Sequence, residues 1–177
     1  GRTTALSTLA ARRSMDDDTL LAGLSDVDPN VRAVAAKVAV DFVGQFADRY
    51  PASRERLFHL ANDADIRVRY QVAFSLGELD GPLQAETIAR LVVNDGADQW
   101  MRLALLSSTL NTAGDVFIRL AVNKDSRSKA HVSRFLTTLA QQIGRAGQSR
   151  QIASVLKSLD QLPASEAGLK SAIVKAT

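Results

Sequence analysis

An all-α fold, a right-handed α-α superhelix of about four to five helix pairs, is what this sequence predicts, on three observations. An Asp stands four residues before an Arg three times, in Asp28-Pro-Asn-Val-Arg32, Asp65-Ile-Arg-Val-Arg69 and Asp98-Gln-Trp-Met-Arg102, with the Arg residues 37 and then 33 positions apart. Around and after each Arg runs an apolar series at helical spacing: Val31, Val34, Ala35, Val38 and Phe42; Val68, Val72, Ala73 and Leu76; Met101, Leu105 and Leu106. No segment alternates polar and apolar residues over a strand length.

The elements follow in order. Residues 3–13 read as the closing helix of a pair, and Asp16 to Leu24 as the opening helix of the next. Asp28 before Pro29 is an N-cap followed by the favoured first helical residue: the carboxylate accepts from free N–H groups, and Pro has no N–H to leave unpaired. Asp65 and Asp98 occupy the same cap position. Asp115 to Val122 and Arg127 to Ile143 read as a diverged pair, with Val116, Ile118, Leu120 and Val122 apolar in the first helix and Val132, Phe135, Leu136, Leu139 and Ile143 in the second. Gly144 and Gly147 mark the break after it. Ser149 to Leu162 and Ser165 to Ala176 read as a last pair split by Pro163, with Ser165 and Glu166 at its second helix start. The reading is a single helical-repeat domain over 1–177, with clear repeats at 16–50, 51–81 and 82–113 and diverged pairs at 114–147 and 148–177. Such repeats bury their apolar faces only against neighbours, and Leu6, Leu9, Leu169, Ile173 and Val174 offer apolar faces at the two ends. A fragment of a longer protein is therefore expected.

Composition narrows the chemistry. The chain has 177 residues, 46% of them hydrophobic and 23% charged, a globular balance. It has no Cys, which excludes disulfides, thiolate nucleophiles, zinc-thiolate sites and Cys-x-x-Cys-His haem attachment within the segment. No apolar run approaches the roughly 18 residues of a membrane span, so no membrane insertion by this segment is expected. Charge is uneven: residues 1–100 carry eleven basic and fifteen acidic groups, net −4, and residues 101–177 carry eleven and four, net +7.

The candidate residues each admit a structural reading and a functional one. Asp28, Arg32, Asp65, Arg69, Asp98 and Arg102 are expected to cap and stack the repeats, each Arg at an inner-helix start crossing to carboxylates and loop carbonyls of an adjacent repeat. Periodic placement is what structure requires, whereas catalytic residues are seldom repeated. Asp16-Asp-Asp18 has the residue type of a hard-cation site, but neighbouring side chains on a helix start diverge, and first-turn acids suit the macrodipole. His59 and His131 lie far apart, with no His-x-x-x-His ligand spacing. No catalytic, cofactor or metal residues are assigned. Tyr70, Phe74 and Trp100 either fill junctions between unequal helices or form a partner surface, and Arg127 and Arg134 belong to a basic set with Arg119, Lys124, Lys129, Arg145, Arg150 and Lys157 that is either solvated charge or a strip suited to phosphates or to an acidic protein surface.

The repeated unit of acid, loop, Val and Arg followed by an apolar helix resembles a HEAT repeat over residues 16–123. The order Thr4-Ala-Leu-Ser-Thr-Leu, Asp18-Thr-Leu-Leu, Asp28-Pro-Asn-Val-Arg-Ala-Val-Ala, Arg67-Val-Arg-Tyr-Gln-Val-Ala-Phe-Ser-Leu-Gly-Glu-Leu and Asp98-Gln-Trp-Met-Arg-Leu-Ala-Leu-Leu-Ser-Ser is similar to the HEAT segment of large bacterial membrane-bound dehydrogenases. In those proteins a propeller domain precedes the repeats and a c-type cytochrome domain follows. The resemblance implies a noncatalytic scaffold or protein-interaction module inside an exported or periplasmic, membrane-associated redox protein. Its implied partners are protein domains of the same or another chain. No catalytic or haem-binding residue carries over, because those lie outside the matching segment. The alternative is a HEAT-like nucleic-acid binder resembling alkylpurine glycosylases, which needs a basic inner groove. The acidic or apolar inner helices of the first three units count against it. A HEAT-like lyase acting on a tetrapyrrole has no supporting motif.

Overall fold

The computed structural model describes residues 1–160 and 167–175, and it is all-α, with no strand among the described residues. The chain divides into two compact units, Gly1–Gln84 and Ala85–Thr177. In the first unit α3 (Pro29–Val43) packs on both α1 (Arg2–Ala11) and α5 (Ile66–Ser75) in one layer, while α2 (Asp17–Leu24) and α4 (Pro51–His59) pack together in a second. The helix α6 (Pro82–Asp95) contains the division. The second unit holds α7 (Gln99–Ser107), α8 (Ala113–Val122), α9 (Lys124–Arg127), α10 (Ala130–Ala146), α11 (Ser149–Asp160) and α12 (Ala167–Val174). Within it α8 packs on α10 and α11, and α10 on α12.

The caps form where cap chemistry places them. Asp28 accepts from the Asn30 amide at 2.9 Å, Asp65 from Arg67 at 2.8 Å and Asp98 from Met101 at 2.8 Å, each satisfying an N–H that the helix itself cannot. The Asp16 carboxylate does the same for α2, accepting from Thr19 at 2.8 Å. Val68, Val72, Ala73 and Leu76 are all buried, as are Val31, Ala35 and Phe42; Val34, Val38 and Leu106 are only half-buried. Packing is tight enough between α2 and the α1–α3 layer that a Cβ on Gly23 would meet Ala35 Cβ and the Leu6 methyls at 3.1 Å. Only glycine fits there without a shift.

Two expectations need correction in the second unit. The helix expected over Arg127 to Ile143 is broken: Lys129 is extended, with φ −72° and ψ 127°, and separates α9 from α10. Ser128 stabilises the break by donating its hydroxyl to the Asp125 carbonyl at 2.8 Å. The buried face of α8 is Val116, Phe117, Leu120 and Ala121, and Val122 is exposed. The helical period, rather than alternate positions, decides the face, and it turns Phe117 into the core. At the far end of α10, Gly147 takes the left-handed conformation, φ 64°, as a C-terminal cap. Pro163, Ser165, Glu166 and Ala176 lie outside the described residues, as does the side chain of Leu169.

Candidate functional site

The three Asp–Arg turns repeat one geometry. Arg32 Nη1 donates to the carbonyls of Asp26 and Val27 at 2.8 and 3.1 Å, and Arg69 Nη1 to those of Asp63 and Ala64 at 2.7 and 3.1 Å. Arg102 Nη1 reaches the Gly96 carbonyl at 3.3 Å. The carbonyls therefore belong to each Arg's own turn, five and six residues back, rather than to an adjacent repeat. One helical turn separates the cap from the Arg, which aims the guanidinium back over the preceding loop.

What crosses between repeats is a carboxylate. Arg32 Nε and Nη2 donate to the two oxygens of Asp63 at 2.7 and 2.8 Å, a bidentate fork with both side chains largely buried. The same Asp63 accepts from the Asp65 amide at 2.9 Å, so one side chain shapes its own turn and holds the previous repeat. Burial pushes the Asp63 carboxyl up, but the hydrogen bond and charge of Arg32 and the Asp65 amide outweigh it and leave the group below the usual carboxylate range. Asp65 is held at about 2 by hydrogen bonds from the Arg67 side chain and amide. In the register of the preceding turn Asp26 plays the part of Asp63, accepting from the Asp28 amide at 2.8 Å and pairing with Arg2 at 3.2 Å. The signal was in the sequence: Asp26 and Asp63 each stand two residues before a cap Asp.

A fourth turn belongs to the series. Asn123 caps α9, accepting from the Ser126 amide at 2.9 Å, and Arg127 Nη1 donates to the Ala121 and Val122 carbonyls at 3.0 and 3.1 Å. Asn in place of Asp hid this turn, although the four-residue spacing is kept. Arg127, expected on an exposed basic strip, is 7% exposed and faces the chain's own carbonyls. Arg119, Lys124, Lys129, Arg134, Arg145, Arg150 and Lys157 are exposed. Arg127→Ala leaves two carbonyls without this donor and is expected to cost about 2 kcal/mol, measured by chemical denaturation.

The acidic triplet disperses. Asp16 caps α2, whereas Asp17 reaches the next repeat and accepts from the Ala52 and Ser53 amides at 3.2 and 3.0 Å, capping α4, whose own N-cap Tyr50 provides no side-chain cap. Among the described residues no group of acids and histidines is placed to hold a metal ion. His59 lies on α4 beside Glu55 at 3.7 Å, and His131 sits 3.2 Å from the Val93 carbonyl.

Large side chains are left in solvent on the helices that begin at the Arg turns. On α5 the Tyr70 and Phe74 rings meet edge to face with centroids 5.0 Å apart, and Phe74 is 44% exposed. On α7 Trp100 is 65% exposed and Leu103, three residues on, is also exposed. Tyr70 itself is half-buried.

Repeated helix pairs, a recurrent capped turn and an Arg folded back onto that turn define a helical-repeat protein, a class that is generally noncatalytic and typically mediates protein interactions. The chain belongs to the HEAT-repeat family: the family model described as HEAT repeats matches residues 2–109. Neither a curated protein nor a solved structure is found to match it. As HEAT repeats, these pairs form a scaffold or interaction module. Among the described residues no helix is long and apolar enough to cross a membrane.

Proposed function

We propose that this chain is a noncatalytic module, a single helical-repeat domain within a longer polypeptide, that grips a protein partner or positions neighbouring protein domains. Each unit offers its own gripping surface, the solvent side of the helix that follows an Arg turn: α5 in the first unit and α7 in the second. The observation that carries this reading is the exposure there of Phe74 and Trp100, side chains whose burial by a partner is strongly favourable. Exposed charge on α3, on α5 and just after α5 is mixed: Lys37 and Asp41 on the first, Arg67 on the second and Glu78 three residues beyond its end. That balance favours a protein surface over a polyanion. The capping and pairing of Asp28, Arg32, Asp65, Arg69, Asp98 and Arg102 support a stacking role for them, and the segment holds no cofactor on this reading. The resemblance to the dehydrogenase segment supports a place between a propeller and a c-type cytochrome domain of an exported redox protein. A downstream Cys-x-x-Cys-His in the same gene would decide that placement.

Calorimetric titration of the chain with the polypeptide encoded beside it in the same gene tests the module. Phe74→Ala and Trp100→Ala are each expected to weaken association about tenfold or more while leaving the melting temperature within about 1 °C of the parent. Parent-like affinity in both variants sinks the reading, as would a salt-dependent shift of duplex DNA by the parent chain.

A further inference from the structure

In the first unit a cleft of about 540 Å³ opens between the ends of α1 and α3 and the turns that follow them. Two of its lining residues are arginines, Arg13 and Arg49, and neither guanidinium makes an ion pair with another described residue. Arg13 takes φ +52°, the one non-glycine residue with positive φ among those described. It occupies the left-handed position that closes α1, with its amide on the Ala10 carbonyl at 2.9 Å and the Ser14 amide on the Leu9 carbonyl at 3.1 Å. Glycine is the residue suited to that position, and at the end of α10 this chain uses Gly147. An arginine there destabilises the turn, and its side chain contributes no described bond in return. Arg49 lies over the Phe46 ring, 5.7 Å from its centroid, and Phe46 is itself exposed. The acids of the cleft differ in kind: Asp16 is committed to capping α2, and Asp41 is exposed with no described ion pair.

We infer that this cleft binds a peptide carboxylate, received by Arg13 and Arg49, with an adjacent peptide N–H donated to Asp41 and an apolar side chain set against Phe46. A fork of guanidinium N–H donors matches a carboxylate in shape and charge. The uncommitted charges, two positive and one negative, fit an anion that carries a donor beside it, as a peptide carboxylate with its neighbouring N–H does. Backbone strain retained at a cleft is accounted for when the strained residue's side chain is used there. The site is independent of Phe74 and Trp100, so its failure leaves the proposed module untouched.

Three peptides test it by amide chemical-shift titration: N-acetyl-Leu-Leu-Ala with a free C-terminus, the same peptide as its C-terminal amide, and N-acetyl-Leu-Glu-Leu-amide. Saturable shifts confined to the two turns are expected with a carboxylate peptide and not with the neutral amide. Response to the first alone assigns a terminal carboxylate, and response to the third alone a side-chain one. Equal response to all three, or to none, overturns the inference. Arg13→Gly separates binding from folding, because glycine relieves the backbone while removing the guanidinium. The variant is expected to melt at or above the parent temperature and to bind the responding peptide at least tenfold more weakly. Parent-like binding by Arg13→Gly would overturn the assignment of Arg13.

Discussion

Asp63→Ala is expected to destabilise the chain by about 3 kcal/mol, because it removes one partner of a largely buried bidentate pair and leaves the Arg32 guanidinium without its carboxylate. The same change deletes the bond from the Asp65 amide, so the turn loses its shape along with its link to the previous repeat. For a chain of this size the shift in melting temperature is roughly 6–12 °C. Asp63→Asn keeps an acceptor oxygen without the charge and should cost less, about 1–2 kcal/mol. Acid supplies an independent check. The folded pKa of Asp63 is depressed, so its contribution is fully present above the unfolded value of about 3.9 and is lost as pH falls through the folded one. Asp65, held at about 2, extends that loss to the lower end of the window. The melting temperature of the parent should therefore hold from pH 7 to about 5 and fall between about pH 4 and 2. Asp63→Ala should show a shallower fall over that window.

Phe117→Ala is expected to have an effect of similar or larger size, about 3–5 kcal/mol, in the second unit. The ring is fully buried in α8, which packs on both α10 and α11, so neither neighbour can close the cavity without moving against the other. Phe117→Leu retains most of the volume and should cost about 1–2 kcal/mol. Denaturant titration of both variants checks the graded loss. A parent-like midpoint for Phe117→Ala would show that the α8 face assigned here is not the packed one.

The contrast between these two residues shows what the sequence could disclose. Cap chemistry is local: a carboxylate satisfies amides two or three residues on, so Asp28, Asp65 and Asp98 were legible from spacing alone. The Arg that folds back onto its own turn is nearly as local, yet its carbonyl partners were placed in the wrong repeat. Asp63 as the partner of Arg32, 31 residues away, depends on how repeats stack, and spacing does not fix that. The bond from Asp17 to the start of α4 is of the same kind and hid behind an adequate local reason for an acid in a first turn. The burial of Phe117 follows the helical period rather than alternate apolar positions, and Arg127 is buried by loop carbonyls that a charge count does not register. Exposure of Phe74 and Trp100 was not readable either, since an aromatic on a helix enters the core or the solvent according to which face its neighbours cover.

A double-mutant cycle over Arg32 and Asp63 tests most directly that the charged ladder joins one repeat to the next. Arg32→Ala, Asp63→Ala and the double variant are compared with the parent by denaturant titration at pH 7. The expected coupling is about 2 kcal/mol, with the double variant little worse than either single one. Additive losses, with a coupling below about 0.5 kcal/mol, would contradict the claim that this pair holds the repeats together.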